Sequence, residues 1–398
     1  MNKKIFFLID GLADKPYKNT PLRLAKKPNI AQLLPYSFLG KFFPLKKNEW
    51  PKTAHASVSQ LANLGILGYD VKNIYAKRGP IEAIGSDIEY KNGWLALRFD
   101  FGTINEKMRV IDRRAGRNIF GLDEIINDLQ KIELEIPFTI QRTYGHRGVI
   151  IFKAELSDKI SNSDPLKLGK KILKIKPLAK DELSKKTFVF VQKFLDASFE
   201  VLKNHPANQQ RIEKNILSAN YLLTREAGNQ LPELIGMPLN PLWRETSGAH
   251  IPALVIAENG VIKGTCKLAG FETLTIPEIE PIKQLDFIFN AIKQNYQQYN
   301  LIYVHLKGAD EAGHDKNCEK KKNVIETFDR YFGNLVSEIG IENFTYIITG
   351  DHITDCKTGR HEFGAVPILY INKNIKSNNP QEFSEITAKT LLKNIWDL

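Results

Sequence analysis

"NLIYVHLKGADEAGHD", residues 300–315, joins an apolar run to an aspartate and a histidine four places apart. The run through Leu306 reads as a buried strand, and Lys307-Gly308-Ala309 as the turn that leaves it. Asp310 and His314 then fall on the outgoing loop, where open α/β sheets place their chemistry. The same sequence of events recurs elsewhere. "KIFFLIDG" ends at Asp10, "FTYIITGDH" ends at Asp351 and His352, and His361 follows before the next run, "AVPILYIN". Runs alternating with helical patterns ("PNIAQLL", "VIKGTCKLAG", the Lys/Glu-rich stretch after His314) predict an α/β fold with a doubly wound, mainly parallel sheet core.

The middle of the chain has a different texture. From about Tyr75 to Ser163 it shows shorter alternating segments ("SDIEY", "WLALRFDFGTI", "FTIQRTYGHRGVIIF") and one helix, "GLDEIINDLQ", which predicts an inserted α+β lid domain. A helix over roughly Asp181 to Asn204 has apolar residues at helical spacing and would connect back to the core. The expected organisation is a core domain of residues 1–75 and 206–398, interrupted by a lid with its connecting helix over 76–205.

With 398 residues, the chain is long enough for one large or two ordinary domains with a substantial core. The opening "MNKKIFFLIDG" imitates a signal peptide, but its apolar run is too short and Asp10 ends it, so it reads as a first strand. No apolar stretch is long enough to cross a bilayer, and a soluble protein without a membrane partner is expected. Cysteines number three, with no CxxC spacing, which argues against a disulfide framework and for a reducing compartment, the cytoplasm by default. The formal charge of +11 is spread over scattered lysines without interleaved aromatics. That pattern reads as a solvated Lys-rich surface and disfavours a nucleic-acid partner, while an anionic small molecule could still use the positive field.

Asp10, Asp310, His314, Asp351, His352 and His361 all sit at or beside strand ends on one edge. Mixed carboxylates and imidazoles suit Zn²⁺ or Mn²⁺, and six such residues are enough for two ions, the usual device for in-line phosphoryl displacement.

"LIDGLADKP", "GYD", "RGPIEAIG", "IDRRAGR", "ADEAGHD" and "TGDH" with His361, in that order from Lys4 to Ile371, resemble the archaeal-type, cofactor-independent phosphoglycerate mutases of the alkaline phosphatase superfamily. The resemblance implies an alkaline-phosphatase-like core and two divalent ions, manganese or zinc, with magnesium a third choice. One would be held by Asp10, Asp351 and His352 beside the nucleophile, the other by Asp310, His314 and His361. It implies interconversion of 3-phosphoglycerate and 2-phosphoglycerate through a phospho-enzyme, with a small phosphorylated carboxylate as substrate and no 2,3-bisphosphoglycerate. Oligomeric state is not implied.

The family segment with the nucleophile resembles Ser-Asp-Thr-Ala-His, whereas this chain reads Pro51-Lys52-Thr53-Ala54-His55, and its stretch before "GYD" is longer than the pattern. Proline carries no nucleophile. Thr53 is the expected replacement and also a ligand of the first ion, with Ser57 the second choice; a hydroxyl at the start of the helix "HASVSQLANL" would gain from free N–H groups and the dipole. The bland reading is that Thr53 only caps that helix.

The insertion supplies cations. Arg113, Arg114 and Arg117 of "DRRAGR", Arg78 of "KRGP", and His146 and Arg147 of "GHRG" form a set whose guanidinium forks suit carboxylate and phosphate. Some of these arginines could instead pair with Glu82, Asp87 or Asp112 to hold the domain together. The resemblance further implies Asp112 as a hydroxyl contact or acid/base and Lys263 as a core-side phosphate ligand, and His146 of "GHRG" is counted with Asp112 among the catalytic candidates. Because Pro51 stands at the serine position, a metal-dependent phosphatase or phosphodiesterase is the alternative. A catalytically dead, basic binding protein is a second.

Overall fold

The computed structural model describes residues 3–50, 58–69, 71–72, 74–75, 77–232, 252–375 and the backbone of 382–387. Its strands are β1 (Lys3–Ile9), β2 (Ser37–Phe43), β3 (Trp94–Ile104), β4 (Val110–Asp112), β5 (Phe138–Tyr144), β6 (Arg147–Glu155), β7 (Tyr221–Gly228) and β8 (Ala253–Ala257). They continue with β9 (Glu272–Thr275), β10 (Leu301–Leu306), β11 (Phe344–Thr349), β12 (Ile353–Asp355), β13 (Arg360–Glu362), β14 (Val366–Ile371) and β15 (Glu382–Thr387). The helices are α1 (Pro21–Leu24), α2 (Pro28–Leu33), α3 (Val58–Ile66), α4 (Arg78–Gly85), α5 (Leu122–Leu129), α6 (Glu182–Lys203), α7 (Pro206–Glu213), α8 (Gly260–Leu268), α9 (Pro281–Asn295), α10 (Gly308–His314) and α11 (Cys318–Ile339).

By its contacts the chain divides into two units, 1–74 with 234–258 and 265–398, and 75–233 with 259–264. The first holds an eight-stranded sheet in the order β15-β2-β14-β11-β1-β10-β8-β9. β1 pairs in parallel with both β10 and β11, and β10 with β8, while β14 runs against its neighbours. The central strands are mostly apolar because both faces are covered. Phe7 packs on Phe289, Phe328 and Phe332 of α9 and α11, whereas Phe6 stacks on Tyr303, whose hydroxyl reaches Asn63 of α3. Register brings Ile9 beside Leu306 and Leu8 beside Thr349, so β1, β10 and β11 leave the sheet at one level of one edge.

Two local expectations are corrected here. Asp310 and His314 lie on the short helix α10 instead of a loop, because the residues after Leu306 wind at once into a turn that carries both on one face. Cys318 and Cys356 form a disulfide across 38 residues, and Cys266 stays free and buried. The first residue of α11 meets the turn after β12, an adjacency that linear spacing cannot reveal. Closing a loop of that length stabilises by roughly 4 kcal/mol on the chain-entropy account.

The second unit is an antiparallel sheet, β4-β3-β6-β5 with β7 also on β3, backed by α5 and α6. The helix expected over 181–204 is α6, started by Asp181 accepting from the Ser184 N–H. This unit runs on to Glu233, past the expected return at 206, because β7 pairs along β3 from Ala96 to Gly102. It also takes in Asn259–Gly264, which approaches α4 so closely that a Cβ on Gly85 would lie 1.9 Å from the Gly260 carbonyl oxygen. Lys263 therefore belongs by its contacts to the second unit rather than to the core.

A buried ion network spans this sheet. Arg98 faces Glu82 at 3.3 Å and Asp100 at 3.9 Å, Arg225 bridges Asp100 and Asp164, and Arg113 forks onto Asp164 at 2.5 and 3.1 Å. Against the opposing effect of burial, Arg225 and Arg98 hold the Asp100 carboxyl below the usual carboxylate range. A depressed carboxyl contributes stability above its unfolded pKa of ~3.9, and that stability is lost as the pH falls toward the folded value. Asp100→Asn is expected to lower the melting temperature by roughly 5–10 °C at neutral pH, since breaking a buried pair costs about 3–5 kcal/mol. The gap should narrow in melts run at progressively lower pH.

Candidate active site

Asp10 follows β1, Asp351 and His352 follow β11, and Asp310 and His314 lie on α10, while His361 comes in on the β12–β13 hairpin. Four of the six are almost completely buried. Gly11 is what lets the chain turn away from Asp10: its φ is +64°, a Cβ there would lie 2.5 Å from Thr354 Oγ1, and its N–H donates to Asp351 Oδ1 at 3.0 Å.

Around His352 Nε2 three oxygens converge: Asp10 Oδ1 at 3.1 Å, Asp351 Oδ2 at 3.5 Å and Ser59 Oγ at 2.9 Å. Asp10 Oδ1 and Asp351 Oδ2 are buried without a hydrogen-bond partner. Buried carboxylate oxygens left in that state call for a cation. Burial and the Asp10 charge push Asp351 up to about 7, and although burial opposes it, Asp351 and Asp10 raise His352 to about 9.

A second convergence lies around Asp310. Its Oδ1 is 3.3 Å from His361 Nε2 and 3.4 Å from His314 Nε2, and the two imidazole nitrogens are 3.0 Å apart. His314 Nδ1 donates to the Gly359 carbonyl at 2.9 Å, which turns the Nε2 lone pair inward. Lys307 sits between the two groups, with its ammonium 2.5 Å from Asp10 Oδ2 and 2.7 Å from Asp310 Oδ2. It and His361 hold Asp310 well below the usual carboxylate range despite burial. Grouped by mutual distances under 4.8 Å, the donors fall into Asp310–His352–His361 and Asp10–His305–Asp351. His352 thus stands between the two sets that the resemblance implied. The donor set fits two borderline divalent ions.

Thr354 joins the two halves. Its hydroxyl donates to Asp310 Oδ1 at 2.7 Å and lies 3.1 Å from His352 Nδ1, which directs Nε2 toward Asp10. Beneath it the fully buried Lys321 pairs with Asp14 at 2.8 Å and donates to the Ala13 and Thr354 carbonyls. Removing such an orienting partner costs metal affinity by about 10–100-fold. Thr354→Val is therefore expected to weaken Mn²⁺ binding by calorimetry within that range, with Thr354→Ser near wild type.

For the nucleophile the structure adds a candidate that the sequence reading passed over. Pro51, Thr53 and Ser57 lie outside the described residues. Ser59, which sequence reasoning did not single out, reaches His352. It is held by Asn63, whose amide donates to the Ser59 carbonyl at 2.7 Å and whose oxygen takes the Tyr303 hydroxyl at 2.6 Å. A signal was present: the excess length before "GYD" means that an alignment anchored on Gly68-Tyr69 slides the serine position toward Ser59. His305, Lys307 and Thr354 were missed as well. The polar His305 inside an apolar run was the visible clue.

In the second unit the candidates separate. Arg113 spends its fork on Asp164, and Asp112 Oδ1 caps the turn by accepting from the Arg114 and Gly116 N–H groups at 2.6 and 3.1 Å. His146 is buried 4.0 Å from Asp100, and burial drives its pKa well down. Arg114 is partly buried; burial and then the charges of Arg117 and Arg147 lower its pKa, which makes those three a cluster of like charge. Arg78 is also partly buried, near Arg98 and Glu226. Such crowded guanidiniums favour an anion.

A mainly parallel sheet whose edge gathers carboxylates, imidazoles and a serine hydroxyl makes an α/β protein with a site of a kind that could hold divalent ions. Residues 51–208 match the family model described as 2,3-bisphosphoglycerate-independent phosphoglycerate mutase. Among curated proteins, a 2,3-bisphosphoglycerate-independent phosphoglycerate mutase of Archaeoglobus fulgidus is 35% identical over 393 residues, covering 96% of this chain and 92% of its own. One from Methanocaldococcus jannaschii is 31% identical, covering 97% and 92%. A solved protein from Pyrococcus horikoshii superposes with a TM-score of 0.73 at 24% identity, covering 100% of this chain and 97% of its own. The cofactor-independent phosphoglycerate mutase of Thermoplasma acidophilum gives 0.58 at 23%, covering 98% of both chains. The chain belongs to the family of 2,3-bisphosphoglycerate-independent phosphoglycerate mutases.

Proposed function

We propose that the protein interconverts 3-phosphoglycerate and 2-phosphoglycerate without 2,3-bisphosphoglycerate, by way of a phospho-enzyme on Ser59. The observation that carries this is the meeting of Ser59 Oγ, Asp10, Asp351 and His352 at one buried point. Asp10, Asp351 and His352 would hold one divalent ion, and Asp310, His314 and His361 the other, manganese or zinc before magnesium. Bound there, the ions supply positive charge to the nucleophile and to the transferring phosphoryl group.

The chain's own side chains do the rest. Asn63 and Tyr303 aim Ser59, and Lys307 adds a cation beside Asp10 and Asp310. Ser59 Oγ bonds to phosphorus as the bond from phosphorus to the C3 oxygen breaks, and the serine proton is passed by an acid/base group to that leaving oxygen; glycerate turns over, its C2 hydroxyl takes the phosphoryl back, and its proton returns to Ser59. The substrate carboxylate is assigned to Arg114, Arg117 and Arg147, with Arg78 and Lys263 as further cations and Asp112 and His146 as the remaining acid/base candidates. The phospho-enzyme must be kept from water, which would turn a mutase into a phosphatase. The hydrolytic alternative rested on Pro51 at the serine position, a ground that a nucleophilic Ser59 would take away. No helix among the described residues is long and apolar enough to cross a membrane; a cytoplasmic location goes with this substrate, while the Cys318–Cys356 bridge removes the cysteine ground for it.

Incubated with Mn²⁺ and 3-phosphoglycerate, the pure protein is expected to form 2-phosphoglycerate with no free phosphate. Phosphate release without 2-phosphoglycerate would overturn the mutase reading.

A further inference from the structure

His305 is the next-to-last residue of β10 and is completely buried. Neither ring nitrogen has a hydrogen-bond partner. Its Nε2 lies 3.6 Å from Asp10 Oδ2, too far for a hydrogen bond, and a ring nitrogen falls within 4.8 Å of donor oxygens of both Asp10 and Asp351. A core histidine ordinarily satisfies at least one nitrogen, since an unpaired buried polar group costs about 1–3 kcal/mol. Here the strand places an imidazole with an unused lone pair against two carboxylates, one oxygen of which, Asp351 Oδ2, is itself unpartnered.

We propose that His305 is an additional protein ligand of the cation held by Asp10 and Asp351. This rests on the reading of those two carboxylates as cation ligands. An imidazole in that position biases the site toward ions that accept nitrogen, Mn²⁺ and Zn²⁺, and away from Mg²⁺. Lys307 shares Asp10 Oδ2 in the metal-free chain and keeps Asp310 as a partner when an ion takes Asp10.

The test uses the full chain stripped of metal and titrated with Mn²⁺, read by calorimetry and by nitrogen couplings in pulsed electron paramagnetic resonance. His305→Phe is expected to lose about 10–100-fold in affinity at one site and to lose one nitrogen coupling. Its metal-free melting temperature should equal or exceed that of wild type, because the orphaned ring is gone. His305→Leu gives the same readout if the phenyl ring does not fit. Wild-type affinity with unchanged couplings in either folded variant would overturn the proposal. Asp351→Asn separates the two levels: undiminished Mn²⁺ binding there would remove the cation site itself, and His305's role with it.

Discussion

Ser59→Ala is expected to abolish mutase turnover, by at least about 10³-fold, while the protein still folds and still binds Mn²⁺. The substitution removes one oxygen and nothing else: Asn63 holds the Ser59 backbone carbonyl, not its hydroxyl, and Asp10, Asp351 and His352 keep their mutual contacts. Labelled phosphate should be retained on the wild-type chain after acid quench and be missing from the variant. Thr53→Ala is the paired experiment, because Thr53 is the hydroxyl that the sequence alone favoured. Full turnover in Ser59→Ala with loss in Thr53→Ala would reverse the assignment.

Asp310→Asn is expected to reduce bound metal from two ions per chain to one and to lower turnover by about 10³-fold or more. Asp310 makes the densest set of contacts at the site. Oδ1 takes the Thr354 hydroxyl and faces both His314 and His361, and Oδ2 takes Lys307. The amide keeps the shape but loses the charge that balances two imidazoles, a lysine and the ion. Lys307 is then left with Asp10 alone among these two carboxylates, which sets the ammonium against the remaining ion as well. Retention of two ions at wild-type affinity, measured by elemental analysis after dialysis, would show that Asp310 is not a ligand.

Three of the six metal-site candidates, Asp10, Asp310 and Asp351, were legible because each combines two local signals, an apolar run that must be a buried strand and a ligand-type side chain just beyond it. His314, His352 and His361 came with them by proximity in the chain, although His361 turned out to ride on a hairpin strand. Ser59 was not legible in that way. Its role comes from the turn of α3 that Asn63 and Tyr303 hold against β10, a contact across 240 residues for the Asn63–Tyr303 pair. His305 was hidden for the opposite reason, since a histidine inside an apolar strand looks like core until its nitrogens are found without partners. Arg113 looked like a substrate ligand, and only the path of the chain through Asp164 shows its fork to be engaged.

By itself the amino-acid sequence determined the class of fold, the strand ends that carry acids and imidazoles, and the separate character of the middle segment. Those properties follow from periodicity and residue type, which act over a few neighbours. Tertiary structure alone decided that the Ser59 hydroxyl reaches His352, that the Arg113 fork is already paired, where Lys263 belongs and that Cys318 joins Cys356. Each of these depends on distances between residues far apart in the chain, and such distances are set by how sheets and helices pack, not by local order.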